Sequence, residues 1–183
     1  MLGVAAVLVV LIVVVSKTMV VVPPGWEYVV ARGGRFRRVL KPGVHFGLAP
    51  LVDRVVRKLP TEERVLPVPA VTGVNEEMLP LTVESRLSYR VVDSQKVFET
   101  LDDVAASLVG VAQAAITGAL KEYTLERALV ERRSLEGAVK RRLEGGTRTW
   151  GIKVTSFTVE AVTPPEEVAR EIERKAAREK AGD

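Results

Sequence analysis

Cysteine is absent from the 183 residues, which removes structural disulfides and thiolate metal sites and leaves the compartment open. Histidine occurs once, at His45, whereas a metal site needs clustered ligands at fixed spacing. A Ser-His-Asp triad would have to use that histidine, and no serine sits in a Gly-x-Ser-x-Gly turn to serve it. Gly33-Gly34 and Gly145-Gly146 come only in pairs and neither leads into Lys-Ser/Thr, so there is no phosphate loop. Aromatic residues make up 5% of the chain, few for the rows of exposed rings on which single-stranded nucleic acid stacks. No catalytic residue, cofactor site, cofactor or metal ligand is expected. A serine-lysine dyad can form between any such pair, so a membrane-tethered hydrolase stays open as one alternative. The stretch RGGRFRR keeps a basic nucleic-acid-binding module open as another.

What is present begins at the amino terminus. Residues 1–15 read MLGVAAVLVVLIVVV, with eleven Val, Leu or Ile and no polar side chain. On the insertion scale those eleven favour a membrane by roughly 3 to 7 kcal/mol. A helix of that length covers about 22 Å, short of the ~30 Å hydrocarbon core. Continuation through Lys17 to Val22 closes the gap, with the Lys17 amine reaching the headgroups. The run lacks the cationic start and small-x-small site of a cleaved signal peptide. It is also long for one strand. A retained anchor over residues 1–22 is the expectation, with Leu2, Val9, Val15 and Lys17 in contact with lipid. Lys17, Arg32 and Arg35 all lie after the apolar run 1–15, so the positive-inside rule places the body in the cytoplasm after a single pass.

Net charge is +4, unevenly spread: from Arg32 to Lys58 eight basic residues stand against Asp53 alone, a balance of +7. By itself such a run is a solvated face. Beside an anchor it has a second use, since each cation near an anionic bilayer contributes about 1 kcal/mol. Arg35, Arg37 and Arg38 are therefore candidate membrane contacts. VHFGLAPLV, residues 44–52, is apolar yet broken by Gly47 and Pro50. It reads either as a buried crossing loop or as a loop dipping into the bilayer surface through Phe46 and Leu48.

WEYVVAR and RFRRVL flank Gly33-Gly34 as a hairpin. ERVLPVPAV reads as another hairpin arm, confined to a sheet edge or a bulge because Pro67 and Pro69 cannot donate to a ladder. Leu81 to Val91 alternates strictly, placing Leu81, Val83, Ser85, Leu87, Tyr89 and Val91 on one face. From Asp93 the period becomes helical. Asp93, Asp102-Asp103, Thr124 and Ser134 are the expected caps of four helices. IKVTSFTVEAV returns to a strand, and Thr163-Pro164-Pro165-Glu166 opens a last charged helix as a capping box. Its stripe of Val168, Ile172 and Ala176 is the expected contact between copies.

Two motifs, in this order behind an apolar terminus, resemble the stomatin/prohibitin superfamily, also called SPFH or Band 7. The first comprises Pro24-Gly25, Gly34-Arg35, Pro42-Gly43, His45-Phe46, Pro50 and Asp53; the second comprises Trp150, Gly151, Ile152, Val154, Pro165 and Glu166. The resemblance covers about Val20 to Arg178 and is nearest to stomatin-like members. It implies an α+β chain: an N-terminal membrane helix (1–22), a membrane-proximal β-rich subdomain (23–91), a second α+β subdomain (92–163) and a short charged helix (164–183). It implies a non-enzymatic scaffold that assembles laterally, organises a membrane microdomain and regulates partner membrane proteins such as proteases. The implied partners are membrane lipids, further copies of the chain, and a membrane protease or NfeD-like membrane protein, with no nucleic acid. Family members usually continue past the Pro-Pro position as a long Ala/Glu-rich helix, whereas this sequence runs to Asp183. A shortened C-terminal helix is the expectation. The apolar segment also lacks the proline that folds some stomatins into a membrane hairpin, so a single span is the simpler form.

Overall fold

The computed structural model describes residues 19–46, 53–170 and Arg174. They fall into two units whose sequences interleave: residues 1–64, 90–102 and 149–152 against residues 65–89, 103–148 and 153–183.

The first unit is built on a three-stranded sheet. β1 is Val20–Val22, β2 Trp26–Arg32, β3 Arg35–Leu40, β4 Gly43–His45 and β5 Asp53–Pro60. β2 lies between β3 and β5, antiparallel to both, while β1 and β4 pair as a separate ribbon. Gly33 and Gly34 both have positive φ, 56° and 79°, which a two-residue hairpin turn requires and only glycine adopts without strain. Trp26, Tyr28 and Val30 face one side of β2, and with Leu40 and Val55 they pack against Val20 and Val22 of the ribbon. Glu27, Val29 and Ala31 face the other side. There helix α1, Ser94–Thr100, lies against β2 and β3. The Ser94 hydroxyl donates to Glu27 Oε2 at 2.6 Å, and the Phe98 and Phe36 rings meet with centroids 6.2 Å apart. The Arg57 guanidinium donates to the Leu101 and Asp102 carbonyls, which the end of α1 leaves without partners.

The second unit has the strand order β6-β7-β8, formed by Arg64–Val74, Pro80–Val91 and Ile152–Thr163. Its helices are α2 (Val104–Leu120), α3 (Leu125–Val130) and α4 (Arg132–Thr147), the last leading through a short 3-10 turn, Arg148–Trp150. Leu81, Val83, Leu87 and Val91 of β7 are buried, as are Leu108, Ala112 and Ile116 of α2 and Leu135, Val139 and Leu143 of α4. Gly146 lets α4 close on α2: a Cβ there would stand 3.0 Å from Val111. The β6–β7 turn is held by Asn75, whose Oδ1 accepts from the Glu77 and Leu79 amides at 3.0 and 2.8 Å.

Three expectations change. Val20–Val22 do not extend an anchor helix. They form β1, because three β-branched residues meet an open strand in β4 and Pro23 disfavours helical backbone at Val22. The boundary expected between residues 91 and 92 is not a structural one. β6 and most of β7 belong with α2, α4 and β8, while α1 belongs with the first unit. Ser134 does not cap α4, which begins at Arg132; its hydroxyl pairs with the Tyr123 hydroxyl at 2.8 Å instead. Asp93, Asp103 and Thr124 cap their helices as expected. Pro67 and Pro69 lie in an edge strand, and Gly151 takes the left-handed backbone that stops the 3-10 turn, with φ 73°.

Ser85 is 3% exposed on the core face of β7, and its hydroxyl has no hydrogen-bond partner. Ser85→Ala is expected to leave stability unchanged or raise it by up to about 1 kcal/mol in urea titration, since an unsatisfied buried hydroxyl is removed. Leu87→Ala on the same face is expected to cost about 2 to 5 kcal/mol.

Candidate membrane-facing surface

Alternation along β1 and β4 gives their ribbon two unlike faces. Val20, Val22 and His45 turn toward the sheet, and the His45 ring is tied to the Lys41 carbonyl at 2.7 Å. Met19, Val21, Val44 and Phe46 turn away and are 45%, 55%, 54% and 60% exposed. Val21 and Val44 stand directly opposite each other across the ribbon. Every outward side chain on this face is apolar. The valine-rich run lies three residues before Met19, across Ser16-Lys17-Thr18, and the chain after Phe46 is GLAPLV. Transfer of the area these four side chains leave in water would gain roughly 3 to 6 kcal/mol, taking about half of full side-chain burial for each.

The basic run is less uniform than its count suggests. Asp53, at the start of β5, has a fully buried side chain. Its carboxylate accepts from Arg32 Nε at 2.8 Å and also pairs with Arg37. That hydrogen bond, outweighing partial burial and reinforced by the charge attraction, raises the Arg32 pKa above its ordinary value. Arg37 reaches Asp53 because β3 carries a bulge: Val30 pairs with Arg38 and Ala31 with Phe36, which leaves Arg37 as the extra residue. A bulge re-aims a side chain in this way. Arg57 is engaged at the end of α1, with its guanidinium 5.7 Å from the centre of the Phe98 ring, and Lys58 lies over Tyr28. Among the described residues Arg35, Arg38, Lys41 and Arg54 make no ion pair.

Of the candidate contacts, Phe46 stands on the exposed apolar face, Arg35 is exposed on β3, Arg37 is committed to Asp53, and Arg38 is half-buried. Leu2, Val9, Val15, Lys17 and Leu48 lie outside the described residues, as do Ile172 and Ala176 of the stripe. Val168 is half-buried in the helical turn after Pro165, whose carbonyl accepts from Ala169 N at 2.9 Å. Sequence alone places Met19 and Val21 in the anchor and Val44 in the loop 44–52, without the strand pairing that joins them on one face, and it misses Asp53 as a hub. Among the described residues no three or more His, Asp or Glu side chains come close enough to hold a metal ion. No single described helix is long and apolar enough to cross a membrane.

Residues 20–182 match the family described as SPFH domain / Band 7 family. An uncharacterised protein of Schizosaccharomyces pombe is 29% identical over 159 residues, 87% of this chain and 45% of that protein. Stomatin-like protein 2, mitochondrial, of Homo sapiens is 25% identical over 165 residues, 90% of this chain and 46% of that protein. An uncharacterised protein of Mycobacterium bovis is 27% identical over 174 residues, 92% of this chain and 45% of that protein. The chain thus spans a little under half the length of these relatives.

Asp53→Asn removes the charge on which Arg32 and Arg37 converge. It is expected to lower the midpoint of thermal unfolding by roughly 5 °C, and the loss should persist in high salt because a buried pair is poorly screened. An unchanged midpoint in calorimetry would show that the cluster does not hold the sheet end together.

Proposed function

The chain belongs to the SPFH domain / Band 7 family, and from that membership we propose that it is a membrane-anchored scaffold which assembles laterally on a lipid surface. Membrane scaffolding without enzymatic chemistry is the general role of this family. In the finer reading, residues 1–18 are a single-pass anchor, the first unit lies on the cytoplasmic face of the bilayer, and the assembly organises a microdomain. The proposed partners are further copies of the chain, lipids, and a regulated membrane protein such as a protease or an NfeD-like protein.

The observation that carries this reading is the outer face of the β1–β4 ribbon. Four apolar side chains are exposed there, on strands that continue in sequence into two further apolar segments. A patch of this size alone gives weak, reversible attachment, comparable to a single lipid chain, so a second signal is needed for stable residence. The amino-terminal run supplies it.

Val21→Asp with Val44→Asp, made in a chain lacking residues 2–15, is expected to abolish what vesicle flotation remains after the deletion. Equal flotation of the deleted chain with and without the two aspartates would remove the ribbon from the membrane contact. For assembly, light scattering of the full chain in detergent is expected to give a mass of several copies, reduced by removal of residues 166–183. A single-copy mass for both would end the lateral-assembly reading.

A further inference from the structure

One end of the three-stranded sheet collects arginines on a single face. Arg32 pairs in register with Arg35 and with Asp53, and Val30 pairs with Arg38, so Arg32, Arg35, Arg38 and Asp53 leave the sheet on the side that the β1–β4 ribbon covers. Simple alternation would send Arg35 and Arg38 to opposite faces, since they are three positions apart. The bulged Arg37 corrects the phase and brings both to one face. Along the strand they are about 7 Å apart.

These arginines differ in what they hold. Arg32 and Arg37 share the buried Asp53, whose charge they neutralise. Among the described residues Arg35 and Arg38 make no ion pair. The Nε of Arg38 is shielded from solvent and has no hydrogen-bond acceptor among the described residues. A charged donor shielded from solvent and without a protein acceptor is a costly state that folded proteins rarely keep. An anion at the open edge of β3 relieves it, because the guanidinium can turn its N–H groups outward to oxygen. Guanidinium forks match the paired oxygens of phosphate better than ammonium groups do.

We propose that Arg35 and Arg38 form a binding site for a phosphate group at the β3 edge, with the headgroup of an anionic phospholipid as the source nearest to hand. This rests on the membrane reading above and names the chemistry that reading lacks. Arg32 and Arg37 are positioning residues: tied to Asp53, they fix the bulge that aligns the other two. Arg54 pairs with Ala31 and leaves the sheet on the opposite face, so it lies outside the site and serves as a charge-matched control.

The test uses the full chain in neutral detergent micelles. Phosphatidylglycerol, phosphatidylcholine or inorganic phosphate is added, and thermal unfolding is followed. A ligand held only by the folded state raises the midpoint. Wild type and Arg54→Gln should show an upward shift with phosphatidylglycerol and none with phosphatidylcholine, and Arg38→Gln should lose it. A matching shift with inorganic phosphate would identify free phosphate as a second source for the same site. No shift with either phosphate source, or equal loss in Arg38→Gln and Arg54→Gln, overturns the site in favour of diffuse charge. Tighter binding of a single-stranded oligonucleotide than of phosphatidylglycerol, lost in Arg38→Gln, overturns the lipid assignment. Arg38→Met without ligand should unfold no earlier than wild type; a lower midpoint would make Arg38 a structural residue. Flotation of Arg38→Gln on phosphatidylcholine vesicles reports the membrane reading separately, because the apolar contact does not need this arginine.

Discussion

A three-stranded sheet has two faces to keep from water, and the first unit covers them with unequal materials. α1 covers one face as a helix should, with an apolar side inward and polar residues such as Gln95, Lys96 and Glu99 outward. Among the described residues, the other face is covered by a ribbon of three residues on each strand. An isolated two-stranded ribbon is marginal in water. This one is held by Val20 and Val22 packing on Val30 and Leu40. Its outward residues then lack any cover that the described chain supplies. They are valine, methionine and phenylalanine where a water-facing ribbon would carry threonine, lysine or glutamate. The proposal that lipid covers this face rests on that mismatch.

Asp53 ties the three strands of the sheet together at one end. Its buried carboxylate closes the far end of β5 against β2 and β3, and two arginines come to it because of two irregularities. Arg37 is extra on β3, and on the other side of β2 the register slips between Val29 and Val30. Two bulges flanking one short stretch of β2 increase its twist. They also separate the basic run into cations used for folding (Arg32, Arg37, Arg57) and cations left for the surface (Arg35, Arg38, Lys41, Arg54). A count of +7 could not make that distinction.

Local features were the legible part. The alternation of β7, the glycine hairpin and the caps at Asp93, Asp103 and Thr124 are each decided within a few residues, and each is visible in sequence. The apolar character of Phe46 and the basic character of β3 were visible too. What escaped was decided over distance. The membership of β6 and β7 in the unit that contains α2, α4 and β8 depends on pairings across more than sixty residues. Ser134 had the chemistry of a cap and found a better partner in Tyr123. Val20–Val22 merged with the preceding run because valine in succession has no period until a partner strand supplies one. The bulge at Arg37 leaves no trace in RFRRVL.

The absence of cysteine allows a direct measurement of the claim that lipid covers the ribbon's outer face. A nitroxide attached through Val44→Cys would be the only label on the reconstituted chain, and a second preparation labelled through Val130→Cys, an exposed site in the other unit, gives the water reference. Collision rates with oxygen and with a water-soluble nickel complex report the depth of each label. The account predicts that the Val44 label is rich in oxygen collisions and shielded from nickel, while the Val130 label shows the reverse. A Val44 label as open to nickel as the Val130 label would contradict it.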